Sequence, residues 1–177
     1  AKALGVDQAE AAASQDTGLS VTARLGDVEN LEFTNDCGVG ITVYKNNCKG
    51  NANTSDIRPT AIREAVAKAY SFAKYTAADL SSGLADAELM ATKIHDLDLE
   101  HHWDIDPEQA IAPAIKCENA AMAHDKRICN SEGATVNTNR GIRAYGNSHG
   151  FFGSVPKTSH SISCVVLAEQ DDAKQRD

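Results

Sequence analysis

The sequence lacks several features that would place it in a specialised class of protein. No apolar run approaches the length of a membrane-spanning segment. The first residues, AKALGVDQAEAAAS, lack the basic segment and apolar core of a secretory signal. The five cysteines, an odd number, include no C-x-x-C pair, which disfavours both a disulfide framework and a structural zinc site. We therefore expect a cytoplasmic protein that does not bind a membrane.

Positive charge is also scarce. The 17 Lys and Arg residues are outnumbered by 25 Asp and Glu residues, which gives a formal net charge of -8. Duplex nucleic acids are bound mainly by Lys and Arg side chains that neutralise phosphates, so we expect no nucleic-acid partner. At 177 residues the chain has the length of one domain and can bury a sizeable core.

What the chain does contain is a succession of short β-prone runs. Between residues 9 and 54 these are LSVTARL, VENLEF and GITVY, with turns expected at 26–27, 35–38 and 45–47. After Asp125 they are RICNSE, ATVNT, GIRAY, FFGSV and SHSISCVVLAE, again separated by glycines and Asn-rich turns. Such runs and turn residues predict two antiparallel meanders.

Two helices are predicted between the meanders. The first covers 59–75, where apolar residues recur at helical spacing behind an initial proline. The second covers 106–124, where Asp106 can cap the helix and Gln109 can complete a capping box. Because Pro113 removes a hydrogen bond inside this helix, we expect a kink there or a later helix start.

The two meanders are similar in sequence. GITVYKN at 40–46 aligns without gaps with GIRAYGN at 141–147, with four identities in seven positions. The helix openings DIRP and DIDP, at 56–59 and 104–107, are also alike. We therefore predict an α+β fold made by internal duplication, in which two related β-meander units carry two amphipathic helices packed on the sheet. The units would be 1–75 and 105–177, joined by a linker over 76–104.

The segment GNSHG fits the G-x-S-x-G pattern of a serine-hydrolase nucleophile elbow. An elbow joins a strand to a helix, whereas FFGSVP follows here and suits a strand. The equivalent turn of the first copy, 45–50, has no serine and still reads as a hairpin. We interpret GNSHG as a hairpin turn. The alternative is a nucleophilic Ser148 with His149 or His160 as base, although surface histidines are the simpler interpretation.

Metal-ligand residue types are concentrated in the linker, in IHDLDLEHHWD: His95, Asp96, Asp98, Glu100, His101 and His102. Imidazole and carboxylate groups are common zinc and iron ligands, but nothing matches the helical H-E-x-x-H spacing. We interpret the segment as a solvated linker held down by its apolar members, which are Ile94, Leu97, Leu99 and Trp103. Cys129 and Cys164 fall in predicted strands, where we expect small buried thiols.

Several segments, in order along the chain, resemble the N-terminal half of the PmbA/TldD family. They are LGDVENLEF from Leu25, GITVY from Gly40, GLAD from Gly83, DLDL from Asp96, PEQAI from Pro107, DKRI from Asp125 and GNSHG from Gly146. The resemblance is stronger to the PmbA type, also called TldE, than to the TldD type.

The resemblance implies part of a bacterial, cytoplasmic zinc metallopeptidase system. In that system a TldD-like and a TldE-like subunit form a heterodimer that cleaves unfolded peptides. Associated roles are peptide maturation such as microcin B17 leader removal, antitoxin degradation and, in older usage, modulation of DNA gyrase.

The family's zinc motif lies in the C-terminal half of the TldD type, which this chain does not reach. The resemblance therefore implies no catalytic, cofactor-binding or metal-binding residue here, and zinc in the TldD-like partner. It also implies that the family's opening helix precedes Ala1. Two hypotheses follow: a non-catalytic domain that guides an extended peptide by strand addition, or a self-sufficient serine hydrolase using Ser148.

Overall fold

The computed structural model describes all 177 residues and has an α+β architecture. Its strands are β1 (Gln8–Arg24), β2 (Asp27–Lys45), β3 (Cys48–Thr54), β4 (Ile128–Asn147), β5 (Phe152–Gln170) and β6 (Ala173–Arg176). Its helices are α1 (Pro59–Ala73) and α2 (Pro107–Met122), with short 3-10 turns at Lys2–Leu4 and Ala87–Leu89. Neither helix has the length and apolar character needed to cross a membrane. The predicted α+β class, with antiparallel strands and two helices, is confirmed.

One six-stranded sheet has the order β3-β2-β1-β4-β5-β6. The β2–β3 and β5–β6 pairs are antiparallel, with Val43 opposite Gly50 and Ala168 opposite Gln175. The strands that contain the repeated heptapeptides, β2 and β4, therefore lie on either side of β1. That these strands arose by duplication stays a prediction.

Two compact units divide the chain, and each draws on three segments. The first comprises Ala1–Asp16, Asp36–Asp98 and Gly141–Pro156, and the second comprises Thr17–Asn35, Leu99–Arg140 and Lys157–Asp177. In the first unit, alanines of α1 pack on Ile41 and Val43 of β2. In the second, Ala110 and Ala114 of α2 pack on β1 and β4. The division into two related units at 1–75 and 105–177, joined by a linker over 76–104, stays a prediction.

The predicted turn at 35–38 is wrong, because β2 runs without interruption from Asp27 to Lys45. The predicted breaks inside 128–147 and 152–170 are wrong in the same way, because β4 and β5 are continuous. Gly141 illustrates the reason. A Cβ there would overlap the Asp16 carboxylate, so this glycine permits close packing on β1 inside a strand.

The predicted chain reversals that do occur have the expected local chemistry. Leu25 and Gly26 join β1 to β2 with φ of 51° and 87°, and Asn46 and Asn47 join β2 to β3 with φ of 50° and 63°. A pair of residues at positive φ is the backbone geometry of a tight hairpin.

Both helices begin close to where the sequence predicts. The capping box of α2 is confirmed, since the Asp106 carboxylate accepts from Gln109 N at 2.7 Å and Asp106 N donates to Gln109 Oε1 at 3.0 Å. The later helix start expected from Pro113 is wrong, because α2 begins at Pro107 and continues through Pro113. Packing of Ala110 and Ala114 on the core stabilises the helix on both sides of the proline.

Candidate functional site

GNSHG is a hairpin turn, as predicted. β4 ends at Asn147 and the neighbouring strand β5 begins at Phe152, while Gly150 takes a φ of 93°. Asn147 N donates to Phe151 O at 3.0 Å and closes the turn. The segment therefore has no helix behind it and lacks the strand-to-helix geometry of a nucleophile elbow.

Ser148 joins this turn to the start of β1. Its Oγ accepts a hydrogen bond from Ala9 N at 3.0 Å, and its own N–H donates to Ala9 O at 2.8 Å. The adjacent His149 is exposed and uses its main-chain N–H to bond the Asn147 side chain at 3.1 Å. The Ser148 hydroxyl is thus hydrogen-bonded to the main chain of Ala9. The two bonds between these residues extend the pairing of β1 with β4.

His160 lies at the surface of the second unit, as predicted for a surface histidine. Its Nε2 is 2.7 Å from His101 O, and its Nδ1 is 2.9 Å from Thr138 Oγ1. Because a carbonyl can only accept, Nε2 donates in its bond to His101 O. Trp103 packs edge-on against the ring at 5.7 Å. Through Nε2 the His160 ring holds the linker residue His101 to β5, and through Nδ1 it contacts Thr138 of β4.

The metal-ligand residue types of the linker do not converge. No group of three or more His, Cys, Asp or Glu side chains is arranged to hold a metal ion. His102 Nε2 pairs with Glu100 Oε1 at 3.2 Å and so has one carboxylate neighbour. The residues of this chain therefore do not fit a zinc ion.

The linker's apolar members differ in how firmly they hold it. Trp103 packs against the α2 core, in agreement with the prediction. Leu97 is 59% exposed and Leu99 is 39% exposed, so these two side chains contribute little burial. Leu99 acts through its main chain instead, because its carbonyl accepts from Thr158 N at 2.9 Å.

The prediction of a buried Cys129 is wrong. Cys129 is exposed and lies at the second residue of β4, whereas Ser131, two positions further along the same face, is buried. Cys164 is half-buried, and burial raises the pKa of its thiol. Both cysteines are free thiols.

A carboxylate shared by two tyrosines was not predicted. Glu10 of β1 accepts from Tyr44 of β2 at 2.8 Å and from Tyr145 of β4 at 2.7 Å. The two tyrosines occupy the same position in the repeated heptapeptides. Their matching positions were the one sequence signal that could have indicated a common partner.

The electrostatics of this group favour protonated phenols. Burial, together with the hydrogen bond to Glu10, raises the pKa of Tyr44 to about 12. Burial and the same carboxylate raise the pKa of Tyr145, although the Asn147 amide opposes the shift. Both tyrosines therefore donate to Glu10 at neutral pH and tie β1 to the strands on either side of it.

An open sheet edge is present in the second unit. β6 pairs only with residues 167–170 of β5, and Val166 exchanges two main-chain hydrogen bonds with Asp177. At the other end, Thr158 N is occupied by Leu99 O. The stretch 159–165 between them faces no further strand, so its outward main-chain groups are available to an added strand.

The α+β sheet with two helices is an architecture found in solved structures. A protein described as a modulator of DNA gyrase from Bacteroides thetaiotaomicron aligns over 97% of this chain and 39% of its own, with a TM-score of 0.84 and 18% identity. TldE from Thermococcus kodakarensis aligns over 96% of this chain and 38% of its own, with a TM-score of 0.76 and 17% identity. At these identities the likeness establishes the fold.

The sequence comparisons define the family. Residues 9–73 match the PmbA/TldA metallopeptidase domain 1, and residues 100–177 match the PmbA/TldA metallopeptidase central domain. The Metalloprotease PmbA homolog of Haemophilus influenzae is 47% identical over 96% of this chain, and Metalloprotease PmbA of Escherichia coli O157:H7 is 45% identical over 97%. The chain belongs to the PmbA/TldD metallopeptidase family. It spans 38% of the length of each of these two relatives.

Proposed function

We propose that this chain is the non-catalytic N-terminal region of a TldE-type subunit, which works with a zinc-carrying TldD-like subunit in the proteolysis of unfolded peptides. The observation that carries the proposal is the identity of 45–47% with PmbA metalloproteases along 96–97% of the chain. Within that stretch, the polar groups that could support catalysis serve other contacts, since Ser148 bonds main chain and His160 holds the linker.

The role proposed for the region is to hold an extended peptide and the partner subunit. Strand addition is the mode that the open edge of β5 at 159–165 supports, because an added peptide would complete main-chain hydrogen bonds there. Recognition of this kind reads the peptide backbone first and depends on peptide length. Maturation of leader peptides and degradation of antitoxins in the cytoplasm are the processes we propose for the complete complex.

The proposal is tested by assaying cleavage of an unfolded peptide with the complete PmbA-like protein, with a TldD-like subunit, and with both. We expect no cleavage by the PmbA-like protein alone, cleavage by the pair, and loss of that cleavage on adding a chelator that zinc then reverses. A TldD-like subunit with its metal ligands replaced is the matched control and should leave the pair inactive.

Cleavage by the PmbA-like protein alone, or chelator-resistant cleavage by the pair, would reject the non-catalytic assignment. Labelling of Ser148 by a serine-directed phosphonate would support the hydrolase alternative instead.

A further inference from the structure

An open cavity of about 970 Å³ lies in the unit that contains α1. All five strands that reach this unit contribute to its lining. Apolar side chains make most of the walls, among them Val39, Phe151 and Val155, while Asn53 and Ser55 supply polar groups. A cavity of this size, with mostly apolar walls and a few polar groups, has the character of a binding site.

Arg143 is the only charged residue that lines this cavity. Its side chain is exposed, and no carboxylate pairs with its guanidinium. By contrast, carboxylates hold four other arginines, which are Arg24, Arg58, Arg127 and Arg176. In a chain with a net charge of -8, an unpaired arginine beside apolar walls is a local site of positive charge.

The wall beside Arg143 is held in place. Tyr145 lies two positions along β4, so it projects from the same face of the strand. Its hydroxyl is fixed on Glu10 at 2.7 Å, and its ring packs against Phe151 at 5.9 Å. An arriving ligand would therefore meet a preorganised aromatic surface next to a planar guanidinium, which matches a carboxylate in two parallel hydrogen bonds.

We infer that this cavity binds an extended peptide segment in which a carboxylate, placed on Arg143, is flanked by apolar side chains. Charge complementarity selects this occupant, because the lining offers one cation, no acidic residue and apolar walls. The inference rests on the proposed function in that the ligand is a peptide, and it adds a side-chain preference at one position to backbone recognition.

The test measures the binding of two fluorescein-labelled peptides to the complete protein, by fluorescence anisotropy at low ionic strength. One peptide alternates valine with aspartate, and the other carries asparagine in place of aspartate. We expect the aspartate peptide to bind about fivefold more tightly, the size of a partly exposed ion pair, and Arg143→Gln to abolish this difference. Arg63→Gln is the matched control, because Arg63 is exposed on α1 and does not line this cavity.

Circular dichroism of both variants serves to check that they fold. The Arg143→Lys variant should retain part of the preference for the aspartate peptide. Equal binding of the two peptides, or a preference that survives Arg143→Gln, would overturn the inference. Self-association of the protein that Arg143→Gln abolishes, without peptide binding, would make the cavity an interface between copies and also overturn it. None of these results would affect the chelator-sensitive cleavage by the pair, so the proposed function stands or falls separately.

Discussion

Individual polar side chains in this protein mostly join backbone segments that are far apart in the sequence. Glu10 holds Tyr44 and Tyr145 from the two strands beside β1. Ser148 bonds Ala9 across 139 positions of the chain. A neutral bond of this kind contributes about 1 kcal/mol to stability and one to a carboxylate about 1.5–3 kcal/mol, so their effect is to align strands more than to drive folding.

Replacing Ser148 by alanine should leave peptidase activity of the reconstituted complex unchanged. The hydroxyl accepts one hydrogen bond from Ala9 N, so we expect a loss of about 1 kcal/mol in the free energy of unfolding. Peptide cleavage and urea denaturation measure the two effects. A loss of activity approaching 10⁴-fold, as expected for a nucleophile, in a folded variant would contradict this prediction.

Glu118 of α2 is a buried carboxylate, 1% exposed, that accepts from Gly26 N in the β1–β2 turn at 3.3 Å. Burial acts to raise the pKa of Glu118, but the Ser131 hydroxyl, the N–H groups of that turn and the Arg24 charge together lower it. The carboxylate is therefore ionised at neutral pH and stabilises the turn.

Glu118→Gln should lower the free energy of unfolding at pH 7 by up to about 3 kcal/mol, since hydrogen bonds to a charged group contribute about 1.5–3 kcal/mol. Because the native pKa is depressed, the wild type should lose this advantage as the pH falls below the ordinary glutamate value of 4.5. Urea denaturation of the wild type and the Glu118→Gln variant between pH 7 and pH 3 measures this difference in the free energy of unfolding. Glu64→Gln, at an exposed site on α1, is the control, and an equal loss there would contradict the argument.

At the scale of elements, α1 depends on close approach to β3. A Cβ on Gly50 would overlap Ala69 O and Ala73 N of the helix, so only glycine allows this packing. Gly38 of β2 is a suitable comparison, because its nearest neighbour to an added Cβ is Thr54 O at 3.8 Å.

Gly50→Ala should therefore destabilise the protein by about 3 kcal/mol, through displacement of α1. Gly38→Ala should change stability by less than about 1 kcal/mol. The free energies of unfolding from urea denaturation test both. Equal stabilities of the two variants would show that α1 does not pack on β3 as closely as described.

The helix α2 carries an internal proline that its sequence does not favour. Pro113 cannot donate the hydrogen bond that a residue at this position of a helix makes, whereas Pro107 stands at the first position, where no donor is needed. Pro113→Ala should raise the free energy of unfolding by up to about 3 kcal/mol, and Pro107→Ala should leave it nearly unchanged. Thermal and urea denaturation measure the difference. A destabilised Pro113→Ala variant would mean that the pyrrolidine ring contributes essential packing.

At the scale of the whole molecule, the open edge of β5 predicts how peptide length and backbone chemistry affect binding. Affinity should rise with peptide length until the peptide spans residues 159–165 and then level off. A peptide N-methylated at alternate residues on the edge that faces β5 should bind at least tenfold more weakly, because N-methylation removes the donors. Methylation of the opposite edge is the control. Fluorescence anisotropy with the complete protein measures the effect of peptide length and of each methylation pattern. Equal effects of the two methylation patterns would contradict strand addition.

Local sequence determined which segments are helices, which are β-prone and where the tight reversals fall. The capping box at Asp106 and Gln109 and the positive-φ turn at Asn46 and Asn47 depend on residues within a few positions, so their patterns were readable directly. GNSHG could be assigned to a turn for the same reason.

Only the tertiary structure decided how those segments combine. The turn-prone residues at 35–38 stay extended because they lie inside the continuous strand β2, which is flanked by β1 in the sheet. Tyr145 meets Glu10 across 135 positions of sequence, and the unpaired edge of β5 exists because β6 is only four residues long. Local propensities carry no information about such partners, since strand pairing and the burial of side chains between strands depend on residues brought together only when the sheet forms.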